Sequence, residues 1–154
     1  MLVRPKYDVA SVLEREMQAT IANWYGLVER EANLLAIHLN RAERCAHLPE
    51  MLGDLVRRLR NPLPLGSKAL RSVSARNHGC VRRDQGYTAA MMVEESRMLQ
   101  VSIFQTLQLH LKGTEPAVLL LDVMAIADEV DSQLAQAMTS YISEANRDSS
   151  PIKP

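Results

Sequence analysis

The chain has 154 residues, 47% of them apolar, which is enough for one hydrophobic core and short for two. Eighteen basic and eighteen acidic residues cancel to a formal net charge of zero, so no global field selects nucleic acid or an anionic membrane as partner. Eight methionines against one Trp, four Tyr and one Phe predict an aliphatic, adaptable core.

Residues 1–8 contain Pro5 and are expected to be frayed. Asp8 or Ser11 can then cap a helix whose apolar positions are Val12, Met17, Ile21, Trp24 and Val28, with Glu14, Arg15, Gln18 and Glu29 on its polar side. The period is lost over residues 33–39. Asn40 followed by Glu43 has the spacing of a capping pair. Pro49 belongs in a first turn, not in a helix interior. The region therefore divides into a short piece through His47 and a helix from Pro49 to Arg60, with Leu52, Leu55, Val56 and Leu59 on one face.

The stretch Asn61 to Ser67, NPLPLGS, reads as a loop because two prolines and a glycine within seven residues suit neither helix nor ladder. A helix is expected to resume by Lys68 and run to Gln85. Its apolar positions Leu70, Val73, Cys80 and Val81 make only a thin stripe, so it needs neighbours. Gly86 is the expected stop. Thr88 can cap the next, central helix, which should run to Gly113.

In that central helix Met92, Ser96, Leu99, Ile103, Leu107 and His110 share a stripe, and Glu94, Gln105, Gln108 and Lys112 lie opposite. Glu95 falls at the stripe's edge. A carboxylate there loses hydration unless it finds a partner, and the preceding helix offers Arg76, His78, Arg82 and Arg83. One of these is expected to pair with Glu95. Beyond Thr114 and Pro116, a long helix carries Leu119, Val123, Ile126, Val130, Leu134, Ala137 and Tyr141 at steps of four and three. Residues 146–154 are polar and proline-bearing, and are expected to be disordered.

No stretch alternates with period two, and no internal repeat is visible. The fold class is therefore all-α: a single-domain bundle of five or six helices over residues 9–145, with a globin-like stack as the alternative topology. Eight basic residues and no acid lie between Arg57 and Arg83, whereas seven acids stand against Arg147 alone between Glu115 and Asp148. The two segments should attract each other. The long apolar stripe of the last helix, with Met91, Met98 and Leu109 flanking the central one, predicts a homodimer.

The early segment Ile21 to Trp24, the string RAERCAHLPEMLGDLVRRLR and the stretch HGCVRRDQGYTAAMMVEESRMLQ together resemble the N-terminal domain of RsbRD-type co-antagonists and of some bacterial sensor histidine kinases. The pattern is His, three residues, Arg, then Gly, then an apolar pair before Glu. Here it falls on His78, Arg82, Gly86, Met91 to Val93 and Glu95. The resemblance spans about residues 9–143 and implies a non-enzymatic, cytosolic regulatory domain that contacts a kinase or anti-sigma module. This chain has no room for an attached output domain, so it is expected to act alone or as a module.

Other chemistry has less behind it. His78 and Arg82, four apart on one face, can be structural, or can bind an anion or signal together with Arg83, Gly86 and Glu95. His110-Leu111-Lys112-Gly113 is similar to the phosphoacceptor motif of histidine phosphotransfer domains, but that motif has one more residue between His and Lys and keeps its Gly within the helix. A haem or small-ligand sensor would require the globin-like topology, and no cofactor is expected. No His pair has the helical spacing of a zinc site, so no metal is expected. The basic segment lacks interleaved aromatics, which argues against nucleic acid. No nucleophile elbow or phosphate loop occurs, so no enzyme is expected. Cys45 and Cys80 are read as reduced thiols of a cytoplasmic protein. Neither a signal peptide nor a membrane segment is read from the sequence.

Overall fold

The computed structural model of the protein describes residues 8–67 and 71–148. Every regular element among them is a helix: α1 (Val9–Arg15), α2 (Met17–Val28), α3 (Ala32–Leu35), α4 (Arg41–Cys45), α5 (Leu48–Arg60), α6 (Val73–Asp84), α7 (Ala89–His110) and α8 (Pro116–Asp148). The bundle expected from the periodicity forms. Five helices have at least twelve residues, and α1, α3 and α4 are short additions. Among the described residues no helix is long and apolar enough to cross a membrane.

The first helix is broken where the sequence reads as continuous. Asp8 caps α1 by accepting from the Ser11 N–H at 2.8 Å. Glu16 then leaves helical geometry at φ −98° and ψ 20°. The Thr20 hydroxyl donates to the Glu16 carbonyl at 2.9 Å, a back-bond of the kind that bends helices. Val12, Leu13, Ile21, Trp24 and Val28 stay buried across the bend. Further on, Asn40 and Glu43 form a reciprocal capping box on α4, and α5 begins with Pro49 in its first turn.

Helix α6 departs most from the sequence reading. Residues 68–70 lie outside the described residues. Arg71 and Ser72 are not helical, so the helix starts at Val73 instead of Lys68. Ser72 caps it, accepting from the Ala75 N–H at 3.1 Å and donating to Asp54 of α5 at 2.6 Å. Val73 is 62% exposed. The inward face is made of Ser74, Ala75, Gly79 and Arg82. Small residues allow close approach: a Cβ placed on Gly79 would lie 2.0 Å from the Ala137 carbonyl oxygen of α8. That contact sets the spacing of the α6–α8 pair.

Helix α7 packs Met92, Met98, Leu99, Ile103 and Leu107 inward. It ends at His110 and not at Gly113, because Leu111 is already extended; Gly113 turns the chain at φ 68°. Ile126, Val130, Ala137 and Tyr141 bury the inner face of α8. Polar links tie the layers: the Trp24 ring N–H donates to the Glu95 carbonyl at 3.1 Å, and the Gln133 amide donates to the Met51 carbonyl at 2.9 Å. The frayed start expected over residues 1–8 lies outside the described residues except for Asp8. The expected tail is helical through Asp148, and the remainder of it lies outside them.

Candidate functional site

Of the expected site residues, His78, Arg82, Gly86 and Glu95 lie around the turn between α6 and α7. Gly86 sits at φ 89°, a region open to glycine at no steric cost. There the Tyr87 N–H donates to the Arg82 carbonyl at 3.0 Å and the Gly86 N–H to the Arg83 carbonyl at 3.1 Å, the paired bonds of a Schellman stop. This reversal turns Tyr87 inward, and Thr88 then caps α7. About two turns later the chain presents Glu95, only 4% exposed.

Glu95 is the centre of a closed polar network. Its Oε2 accepts from Arg82 Nε at 3.0 Å, and its Oε1 accepts from the Tyr87 hydroxyl at 2.6 Å. Arg44 of α4 reaches from another direction: its Nη1 donates to the Tyr87 hydroxyl at 2.6 Å and lies 4.0 Å from Glu95 Oε1. The remaining donors are also used. Arg44 Nη2 donates to the Ile37 carbonyl at 2.6 Å, and Arg82 Nη2 to the Arg44 carbonyl at 2.6 Å. Arg82 Nη1 donates to Gln85 Oε1 at 2.7 Å, and the Arg82 guanidinium stacks 4.6 Å over the Tyr87 ring. From α8, the Tyr141 hydroxyl donates to the Tyr87 carbonyl at 2.6 Å.

Burial by itself would push the Glu95 carboxyl up. The His78 ring, the Arg82 guanidinium and the Tyr87 hydroxyl outweigh it and hold the group below the usual carboxylate range. The Tyr87 hydroxyl is pushed up, first by burial and then by the adjacent Glu95 charge, so it stays a donor. One carboxylate is thus held by two guanidinium groups whose other donors mostly end on main-chain carbonyls. This arrangement fixes geometry rather than offering an open position to a ligand.

His78 Nε2 lies 3.7 Å from Glu95 Oε2, and its Nδ1 lies 3.3 Å from Nδ1 of His47, the residue that starts α5. Beside them is a cavity of about 30 Å³ lined by Trp24, Met51, His78, Met92 and Glu95 among others, room for a water or two and far less than a porphyrin needs. No group of three or more His, Cys, Asp or Glu among the described residues could hold a metal ion.

The expected pairing of Glu95 is therefore met by Arg82 and His78, and not by Arg76 or Arg83. Arg76 is exposed. Arg83 turns toward α8, where Nη1 donates to the Tyr141 hydroxyl at 3.3 Å and the guanidinium lies 5.2 Å over that ring. His110 is at the far end of α7, half-exposed and 3.9 Å from Glu16. Arg44, Tyr87, Tyr141 and His47 are the members that sequence reasoning missed. The attraction between basic and acidic segments is realised at Arg58, whose guanidinium donates to Asp128 at 2.8 Å and to Glu129 at 3.1 Å. Both cysteines are free thiols.

A second feature lies where α7 meets α8. Leu109 is 74% exposed, and Val118, Leu120, Leu121 and Met124 are all exposed on the first turns of α8. On a helical wheel Ala117, Leu120, Leu121 and Met124 form one outward strip. The same outward face carries Asp128, Asp131, Ala135 and Thr139 in the following turns. It changes from apolar to polar at Asp128, which Arg58 and the Gly66 N–H hold at 2.8 and 3.1 Å. No family model, curated protein or solved structure matches the chain.

Proposed function

We propose that this chain is a regulatory module that works by protein–protein contact and not by catalysis, and that it contacts a second copy of itself through the corner of α7 and α8. The observation that carries this reading is the outward apolar strip on α8, with Leu121 65% exposed. Contiguous apolar surface of this kind marks an interaction site, since it costs solvation free energy until it is covered. A second copy suits the surface electrostatically. The chain has no net charge to repel its like, and Lys112 and Glu115, both exposed at the corner, are complementary across a two-fold axis. The resemblance of the stretch from His78 to Gln100 to RsbRD-type domains supports the same reading, in a bacterial cytoplasmic pathway with a kinase or anti-sigma module as the further partner. In this reading Glu95 and its partners hold the α6–α7 turn rigid at the other end of α7 from the contact surface.

A photo-crosslinking amino acid placed at Leu121 is expected to give a covalent dimer on irradiation of the purified protein. The same group at Thr139, exposed on the polar half of the same helix, is expected to give none. Only monomer from position 121, or equal dimer from both positions, contradicts the reading.

A further inference from the structure

The contact between His47 and His78 brings two titratable rings together in a way that neither the dimer nor the Glu95 network requires. The two Nδ1 atoms are 3.3 Å apart and the rings meet edge to face with their centroids 5.3 Å apart. A hydrogen bond between two such nitrogens needs one N–H and one bare lone pair. The roles are set by what lies behind His78. Its Nε2 faces Glu95 Oε2 at 3.7 Å, and a carboxylate can only accept, so the tautomer that suits this approach carries its proton on Nε2. In the neutral ring Nδ1 of His78 is then bare. In that state Nδ1 of His47 is the donor.

We propose that His47 and His78 share a single proton between their Nδ1 atoms and that a second proton parts them, so that the start of α5 is latched to α6 by a contact that acid opens. A first added proton sits on the outer Nε2 of His47, where it keeps the shared bond but places a cation in a half-buried site beside His78 and Arg82. A further one puts N–H against N–H. The charged groups around the pair oppose it as well. Arg82 on the same helix as His78 opposes charge on His47, Glu95 of α7 faces His78, and the cavity wall from α8, formed by Val130, Gln133, Leu134 and Ala137, carries no titratable group. Tyr87 stays neutral. On α5, Glu50 alone favours charge on His47. His47 also occupies the N-cap of α5, where the helix dipole disfavours a cation. Burial first and the His78 ring second depress the His47 titration below the ordinary 6.5, in line with this geometry.

The latch goes beyond the proposed contact surface, which lies at the other end of α7, and stands or falls without it. The sign follows from linkage. A histidine whose folded titration is depressed contributes stability that is fully present above 6.5 and is lost as the pH falls through the folded value.

The test is an NMR titration of the imidazole nitrogens in the full chain, with amide exchange as a second readout. In the wild type the His47 midpoint is expected below 6.5, with its proton on Nδ1 and that of His78 on Nε2. His78→Gln is expected to move the His47 midpoint upward. The Met51 amide, which donates to the His47 carbonyl at 3.0 Å, is expected to lose protection in acid in the wild type and to keep it in His47→Gln, a variant that remains informative if His78→Gln fails to fold. A His47 midpoint at or above 6.5, a midpoint unmoved by His78→Gln, or Met51 protection with the same pH dependence in wild type and His47→Gln overturns the proposal.

Discussion

The two ends of α7 are built on opposite physical terms. Near its start, Glu95 is buried among directional partners from α4, α6 and the α6–α7 turn, and nearly every donor of Arg44 and Arg82 has an assigned acceptor. At its end, Leu109 and the first turns of α8 offer apolar surface without direction. The difference is instructive because polar burial specifies geometry within the chain, since a misplaced partner leaves a stranded charge. Apolar exposure leaves geometry open for a second molecule to set. One end holds the fold, and the other is available for contact.

Breaking the polar end should give the largest effect. Glu95→Gln keeps the volume but strands Arg82 and Arg44, at a cost of about 3–5 kcal/mol in a urea titration. That is a large share of a small domain's stability, so partial unfolding at room temperature is an acceptable outcome of the same measurement. The substitution should also flatten the acid limb. Because the folded Glu95 carboxyl titrates below its ordinary 4.5, its contribution is present above that value and is lost as the pH falls through the folded one. Wild type should lose this stability on acidification, and Glu95→Gln has none of it to lose. Equal acid limbs in the two proteins would count against the buried pair.

Gly79→Ala comes next, because the new Cβ meets a main-chain oxygen of Ala137 that cannot rotate away. A cost at or above the upper end of the usual ~1–3 kcal/mol for overpacking is expected, read as a fall in melting temperature. Gly86→Val should cost about 1–2 kcal/mol through its positive φ alone, since the nearest neighbour to a new Cβ, Ile37 Cδ1 at 3.8 Å, is at ordinary contact distance. An unchanged melting temperature would mean that the turn relaxes. The smallest effect belongs to Glu94→Gln. Among the described residues Glu94 is paired with Arg97 on its own helix, at 2.5 Å, and the change should be below about 0.5 kcal/mol. Adjacent glutamates should thus differ severalfold in their cost.

Much of this arrangement was legible in the sequence, where local rules act. The capping box at Asn40, the proline in the first turn of α5, the stop at Gly86 and the burial of Glu95 opposite Glu94 each depend on residues within one or two turns. Arg82 was readable as a partner because it lies thirteen positions from Glu95, across one turn of chain. Arg44 was not, since its approach depends on how α4 docks beside α6. His47 and His78 likewise meet only after α5 and α6 pack. For α6 the periodic pattern pointed to Val73 as core, but the buried face is made of Ser74, Ala75 and Gly79. Small residues give little hydropathy signal, and here close helix approach takes the place of apolar volume. The bend at Glu16 follows from a hydroxyl back-bond that apolar spacing does not register.

The contrast between a locked end and an open one is tested most directly by sedimentation equilibrium on the wild type and Leu121→Glu, with a thermal melt of each. The wild type is expected at twice 17.3 kDa and the variant at 17.3 kDa, and the variant's monomer should retain its helical signal and a cooperative melt. A wild type at 17.3 kDa at high micromolar concentration, or a variant that remains dimeric, would contradict the assignment of the α7–α8 corner as the contact surface.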